Sequence, residues 1–283
     1  MSKKPGLFLI LRMVLILIAE IIILIIGIVI MAVGNLISLG RWQDQTFRIT
    51  SFLFGRTALL LAGIRMKVHY HGDLPQQPAV YLFNHSSTLD LFVGTALALP
   101  GVRYIAKREL GYNPLFWAIA RLSGQIMIDR SDPREAIMQV NRAYKYLKKK
   151  RFSLMLAPEG TRSRTGKILP FKSGAFHAAV EMQYPIVPIY IEGAYALCPG
   201  KSLIARPGTV TVHFHKPLDT SDWDRKSIRK HAEAMRERYL EWNGEAPADT
   251  RGGKDTRGGE DTRDDKDPAS QPPRAQPAGS SGD

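Results

Sequence analysis

His85 and Asp90, in the stretch Asn84-His85-Ser86-Ser87-Thr88-Leu89-Asp90, are the residue types of a proton-transfer pair. A carboxylate on one imidazole nitrogen fixes the tautomer and leaves the other nitrogen free to take a proton. The flanking sequence can supply the geometry. Ala79-Val80-Tyr81-Leu82-Phe83 is short and rich in β-branched and aromatic residues, as a buried strand is. Ser86, Ser87 and Thr88 are N-cap types, and the apolar run Leu91 to Leu99 continues as a helix. The histidine then sits at the carboxyl end of a strand. The aspartate falls in the first helical turn, where the helix dipole favours a carboxylate. One turn of helix brings Asp90 back within hydrogen-bond reach of the ring. Taken alone, the pair is more readily read as capping or loop residues.

Two further strand ends carry functional residue types. After Gln125 to Ile128 come Asp129 and Arg130. After Phe152 to Leu156 come Ala157-Pro158-Glu159-Gly160-Thr161-Arg162-Ser163-Arg164. A strand ending in Pro, Glu and Gly suits a turn that presents side chains at the rim of a sheet. Arg130, Arg162 and Arg164 are planar donors matched to phosphate oxygens. Lys107-Arg108-Glu109 adds charge. Each of these, taken singly, is more commonly a solvated residue or half of a salt bridge.

The elements that must position these groups alternate along the chain. Val68 to Tyr70 and Val80 to Phe83 read as strands. Asn113 to Leu122 reads as a helix. Ser131-Asp132 caps a further helix, with Pro133 at its first position, running to about Lys150. Gly174 to Met182 is a helix, and Ile186 to Ile191 and Val210 to Phe214 are strands. The pattern predicts an α/β domain, with a largely parallel (mixed) sheet flanked by helices. Ligands in such sheets bind at the carboxyl ends of strands, where His85 falls.

Ahead of this domain, Met13 to Val33 is interrupted only by Glu20, and fifteen of its residues are Leu, Ile or Val. At about −0.3 to −0.6 kcal/mol each, they outweigh the roughly 3 kcal/mol cost of one buried acid. This is a membrane-embedded segment, too long for a secretory signal core. Leu7 to Leu39 would make about 50 Å of helix, against about 30 Å of hydrocarbon. It could tilt, lie in one leaflet, or break near Gly27 or Gly34-Asn35. Phe52 to Ile64, with Arg56, reads as interfacial. Lys3 and Lys4 before the segment, and Arg41, Arg48 and Arg56 after it, leave no charge asymmetry to set orientation.

The chain carries +13 in all. Its last forty residues hold 6 Lys/Arg and 9 Asp/Glu, so the body before them carries 33 against 17, or +16. A basic body suggests an anionic partner. The single cysteine, Cys198, excludes an intramolecular disulfide and a cysteine-cluster zinc site, and fits a reducing compartment. Ser227 to Trp242 reads as a basic helix. Beyond it, Asp-Thr-Arg repeats every six residues with almost no apolar content, a composition that stays disordered. The expected organisation is an anchoring segment over 1–65, an α/β domain over 66–243 and a low-complexity tail over 244–283.

Four blocks now carry a resemblance. The 84–90 stretch resembles the H-x-x-x-x-D block of the glycerolipid acyltransferases that acylate lysophosphatidic acid at its 2-position. Gly124 to Arg130 resembles the family's second block, Pro158 to Ser163 its E-G-T-R block, and Val187-Pro188-Ile189-Tyr190 its proline-centred fourth. Lys107-Arg108-Glu109-Leu110 resembles the basic stretch between the first two. The resemblance covers about Lys67 to Pro217. It implies that His85 acts as general base on an acceptor hydroxyl and that Asp90 orients it. Lys107, Arg130, Glu159, Gly160, Thr161 and Arg162 would form the acceptor site, with the arginines on its phosphate. Pro188 would shape the pocket. The implied acyl donor is acyl-CoA or acyl carrier protein, and no cofactor or metal is implied. The implied partners are a phospholipid membrane and lysophosphatidic acid, with the catalytic domain on the cytoplasmic face of a bacterial inner membrane. Thr88 departs from the family, where many members carry a large aromatic, which bears on acceptor preference.

Other readings are weaker. Within the same chemistry, another lysophospholipid, a lyso-aminolipid or glycerol-3-phosphate could be the acceptor. A membrane lipid-binding scaffold would use the anchor and basic rim without needing His85. Nucleic acid is not an expected partner, because no reader motif or aromatic-basic platform is present. Pro199-Gly200-Lys201-Ser202 resembles a phosphate loop, but Tyr195 stands where that loop needs glycine. Asn84-His85-Ser86 is formally a glycosylation sequon and reads as unused. His213 and His215 alternate on one strand and read as strand surface.

Overall fold

The computed structural model describes residues 7–129, 131–200 and 202–245. The expectations for Arg130 and for the disordered tail lie outside these residues, and so does Lys201.

Two helices come first, α1 (Leu7–Ile37) and α2 (Gln43–Leu61). The α1 helix runs unbroken through Gly27 and Gly34, so neither anticipated break occurs. Glycine at both places instead admits α2. A Cβ on Gly27 would come within 2.1 Å of the Thr50 methyl, and one on Gly34 within 2.5 Å of the Thr46 methyl. Glu20 is buried, so the one acid of the segment is turned away from the surface. Among the described residues, Leu11–Ile37 is the stretch long and apolar enough to cross a bilayer. It is nevertheless tied to the body near both ends. Arg12 Nη2 donates to Leu61 O at 2.7 Å, and Asn35 Nδ2 donates to Leu122 O at 2.8 Å. Phe52 to Ile64 is not one interfacial stretch. The chain turns at Ala62-Gly63, and Ile64 already begins a strand.

The strands are β1 (Ile64–Tyr70), β2 (Val80–Phe83), β3 (Val102–Lys107), β4 (Ile126–Ile128), β5 (Ser153–Leu156), β6 (Ile186–Glu192) and β7 (Gly208–Phe214). They form one sheet in the order β1-β7-β6-β2-β5-β3-β4. All neighbouring pairs are parallel except β6 and β7, which makes the sheet largely parallel but mixed. The central strands β2, β5 and β6 are apolar along nearly their whole length because both faces are covered. On one face, Val80, Leu82 and Leu154 pack with α5 (Pro133–Lys150), α6 (Gly174–Met182) and α8 (Ile228–Trp242). On the other, Tyr81, Met155 and Ile189 pack with α2, α3 (Leu89–Leu97) and the short α7 (Ala194–Leu197). Helix α4 (Pro114–Ser123) leads into the edge strand β4.

Contact between α2 and α3 depends on Gly55, where a Cβ would lie 2.3 Å from Ala96 N and 2.5 Å from Phe92 O. A second tie from α2 is an ion pair, in which Arg103 Nη1 on β3 donates to Asp44 Oδ1 at 2.9 Å. The Arg103 guanidinium also lies 3.8 Å from the centre of the Phe152 ring. Strand β3 was not legible in the sequence, because its middle, Arg103-Tyr104, breaks the apolar run that marks a buried strand.

Candidate active site

The site grows from the carboxyl end of β2. The first residue past the strand, Asn84, is buried and used twice. Its Nδ2 donates to Ile191 O at 3.0 Å, and its Oδ1 accepts from Ile191 N at 2.7 Å. Such an amide is closed to glycosylation. At His85 the backbone N–H donates to Glu159 Oε1 at 2.7 Å, and the carbonyl accepts from Ser163 N at 2.8 Å. Ser86 O accepts from Gly200 N, and Ser87 O from Asp90 N. Ser86 N and Ser87 N both donate to Asp90 Oδ2, at 2.8 and 2.9 Å. Every backbone N–H and C=O from His85 to Ser87 therefore has a partner, and the loop is held rigid.

Within this frame His85 Nδ1 lies 2.9 Å from Asp90 Oδ2. Asp90 is 1% exposed, and its Oδ2 takes three hydrogen bonds. A carboxylate so placed keeps the proton on Nδ1 and leaves Nε2 as an acceptor. His85 lines a cavity of about 820 Å³. Its walls are mostly apolar, among them Phe83, Ile105, Ile128, Val140 and Met155, and it carries Lys172, His177 and the ion pair of Arg225 with Glu181. This combination of apolar walls and few polar groups suits a lipid chain with a charged head.

The expected capping of α3 is divided differently. Thr88 occupies the cap position without a side-chain cap bond. The hydroxyl of Ser87 accepts from Leu89 N instead, at 3.1 Å. Thr88 Oγ1 donates to Ser202 O at 2.7 Å and accepts from Arg162 Nη1 at 3.0 Å.

The E-G-T-R segment is brought against His85 as anticipated, with its parts used unequally. Glu159 is 2% exposed, and its two oxygens accept from His85 N and Leu169 N. Burial pushes its carboxyl up to about 7, against the pull of those two N–H groups. It holds the His85 loop and is not aimed at open space. Gly160 lines the cavity with a φ of +68°, and a Cβ there would come within 3.0 Å of Lys172 Cδ. Arg162 Nη1 also donates to Gly200 O at 3.2 Å. Thr161 is exposed. Lys107 is exposed at the end of β3, two strand spacings or about 10 Å from β2. Beside it, Arg108 pairs with Asp129 at 3.1 Å.

Sequence reasoning missed Cys198, Pro199, Gly200 and Ser202, which pack on the His85 loop. Ser87 bridges to Pro199, and its hydroxyl donates to Cys198 O at 2.6 Å. The supposed phosphate loop is thus a brace for the His85 loop. Its only local signal is a Pro-Gly turn. The cavity residues Lys172, His177 and Arg225 lie outside every motif, and no sequence signal marked them.

His213 and His215 do not stand alone on their strand. His69 on β1 and His71 just past its end lie beside them, and His71 Nε2 lies 3.1 Å from His213 Nδ1. His213 Nε2 lies 3.1 Å from Glu192 Oε2. His215 stacks on Trp242 with centroids 3.5 Å apart. Among the described residues, no group of three or more His, Cys, Asp or Glu side chains is placed to hold a metal ion.

The model of a family described as Acyltransferase matches residues 65–192. The chain is 37% identical over 163 residues to the 1-acyl-sn-glycerol-3-phosphate acyltransferase of Cocos nucifera, a match covering 58% of this chain and 53% of that one. It is 31% identical over 181 residues to the protein of the same name from Escherichia coli K12, covering 63% and 72%. The match spans between 53% and 66% of the length of the plant and yeast relatives. Among solved structures, the 1-acyl-sn-glycerophosphate (LPA) acyltransferase of Thermotoga maritima aligns with a TM-score of 0.58, at 22% identity. That alignment covers 84% of this chain and all of the other, and it speaks to the fold.

Proposed function

The chain belongs to the 1-acyl-sn-glycerol-3-phosphate acyltransferase family, and on that premise we propose that it moves a fatty acyl group from an acyl thioester to the 2-hydroxyl of 1-acyl-sn-glycerol-3-phosphate. The product is phosphatidic acid. The observation that carries this reading is the buried Asp90 on His85 Nδ1, with the imidazole lining an apolar cavity. His85 Nε2 takes the proton of the acceptor hydroxyl as its oxygen attacks the thioester carbonyl. Asp90 stabilises the imidazolium that forms. The tetrahedral intermediate expels the thiolate, which recovers the proton from His85. A thioester is activated enough that no serine or cysteine nucleophile is needed. Arg162 and Arg130 bind the acceptor phosphate.

The acyl thioester is that of coenzyme A or of acyl carrier protein, since both present the same reacting group. The protein works at a phospholipid membrane, with α1 lying along one leaflet. Arg12 and Asn35 are about 34 Å apart along the helix, more than the hydrocarbon thickness of about 30 Å. Both are tied to the same body. A crossing helix would carry part of that body through the bilayer. If cysteines placed at positions 11 and 39 reacted with an impermeant thiol reagent from opposite faces of a vesicle, the leaflet placement would be wrong.

The deciding experiment measures transfer from a fatty-acyl thioester to 1-acyl-sn-glycerol-3-phosphate by purified wild type and by His85→Ala. Transfer by wild type, lost in a folded variant, is the expected result. Equal transfer by both removes His85 from the mechanism. Absence of transfer with either donor, in wild type as well, favours a lipid-binding scaffold. Arg162→Ala should raise the acceptor KM about 10- to 100-fold, the worth of one hydrogen bond to a charged group. An unchanged KM would contradict the phosphate assignment.

A further inference from the structure

A second cavity, of about 590 Å³, lies on the outer side of the edge strand β4, between α4 and α5. Arg121 of α4 and Arg142 of α5 line it, with Trp117, Gln139 and Tyr146. No carboxylate is among its lining residues. Neither arginine has an ion-pair partner among the described residues. Both arginines are exposed, and together they present planar donors that suit an anion with several oxygens.

The surroundings narrow the source of that anion. Gly124 also lines the cavity, and Gln43 packs on it. Gln43 and Asn35 both donate to Leu122 O, at 3.0 and 2.8 Å. The turn joining α1 to α2 is therefore pinned beside the cavity. That turn and its approach expose Leu36, Ile37, Leu39 and Trp42. On α4, Phe116 and Trp117 are exposed as well. A basic pocket bordered by exposed apolar and aromatic side chains matches the boundary between headgroups and acyl chains. A soluble phosphate would use the arginines and leave the apolar border unexplained.

We propose that this cavity binds the phosphate headgroup of an anionic bilayer phospholipid, at a site separate from the His85 cavity. The inference rests on the membrane placement given above. The phosphate sits between Arg121 and Arg142, and the lipid chains run back along the apolar border toward α1. Occupancy ties the catalytic body to an anionic leaflet.

The test uses the full chain with vesicles of phosphatidylcholine, and with vesicles in which one fifth of the lipid is phosphatidylglycerol. Binding is read by co-sedimentation for wild type, Arg121→Gln/Arg142→Gln and Arg121→Lys/Arg142→Lys. Wild type should prefer the anionic vesicles. The glutamine pair should lose about 25-fold of that preference, at about fivefold for each cation near an anionic surface. The lysine pair should keep most of it. Transfer activity in detergent should be unchanged in both variants, which also reports that they fold. Preference retained in full by the glutamine pair overturns the site. Equal binding to both vesicles, together with saturable binding of inorganic phosphate that the glutamine pair loses, overturns the lipid as occupant. Wild type that binds both vesicles equally, without such phosphate binding, refutes the site and leaves the membrane placement standing. Wild type that binds neither refutes the membrane placement itself.

Discussion

Two histidine–carboxylate pairs occur in this chain at nearly the same distance, His85–Asp90 at 2.9 Å and His213–Glu192 at 3.1 Å. Their imidazoles are equally exposed, at 24% and 22% of the side chain. The carboxylates differ. Asp90 has no exposed side-chain surface, whereas 59% of Glu192 is open to solvent. Asp90 takes two backbone N–H bonds besides the imidazole, and its loop has no free backbone group. Glu192 pairs with His213 from the rim of a sheet. His85 lines an apolar cavity, while His213 shares its surface with three other imidazoles. A distance alone does not mark a base. Burial of the carboxylate, a loop with its backbone groups paired and an adjoining apolar cavity distinguish one pair from the other, and the proposed function rests on that difference.

The largest expected contrast is between alanine substitutions of the two histidines. His85→Ala should lower kcat by about 10²- to 10⁴-fold, the usual contribution of a general base. His213→Ala should leave kcat within about twofold. Comparable losses in both would end the distinction. The carboxylates come next. Asp90→Asn should lower kcat by up to about 10⁴-fold at unchanged fold, since an amide can hold the ring in the wrong tautomer and does not stabilise the imidazolium. Glu192→Gln should be silent in the same assay.

A smaller effect tests the frame instead of the chemistry. Glu159→Gln presents one acceptor where the carboxylate presents two, so it leaves His85 N or Leu169 N unpaired. The cost should be about 1–3 kcal/mol, read as a fall in Tm of about 2–4 °C for each kcal/mol in a chain of this size. Its pH dependence has a definite sign. The folded carboxyl, near 7, lies above its ordinary value of 4.5. The associated stability is fully present below about pH 4.5 and is lost as pH rises through about 7. Glu159→Gln should remove that slope, and a Tm series from pH 4 to 8 checks it.

The smallest expected effect lies in the histidine cluster. Burial pushes the His215 imidazole down to about 4, with the neighbouring His71, His213 and Arg238 adding to the shift. The folded value lies below the ordinary 6.5, so stability is present above about pH 6.5 and declines as pH falls through about 4. His215→Phe keeps the stack on Trp242 and removes the titration. Its Tm should fall less than that of wild type between pH 6.5 and 4. Parallel curves would show that His215 does not carry the acid sensitivity.

Much of the fold was legible because local patterns agreed with tertiary demands. Val80 to Phe83 and Gly174 to Met182 occur as read, the first a continuous apolar run and the second bounded by glycine and a polar stop. Asp132 and Pro133 announced α5, and Asp132 Oδ1 accepts from Arg134 N at 2.8 Å. The return of Asp90 to His85 followed from one helical turn. Strand β3 stayed hidden because a buried arginine, balanced by Asp44 and stacked on Phe152, looks polar in sequence. The continuity of α1 through two glycines was equally hidden, because the reason for those glycines is Thr46 and Thr50 on another helix.

The sequence by itself determined the elements, the chemical types at the strand ends and the pairing of His85 with Asp90. All of these depend on neighbours within about one turn of helix or one strand. Tertiary structure alone decided that Glu159 holds the His85 backbone from 74 residues away. It also placed Cys198, Pro199 and Gly200 against the His85 loop and set Arg121 of α4 and Arg142 of α5 in one cavity, with no ion-pair partner among the described residues. Those arrangements depend on which strands lie side by side, and strand order is fixed by packing across the whole sheet. No local pattern encodes it.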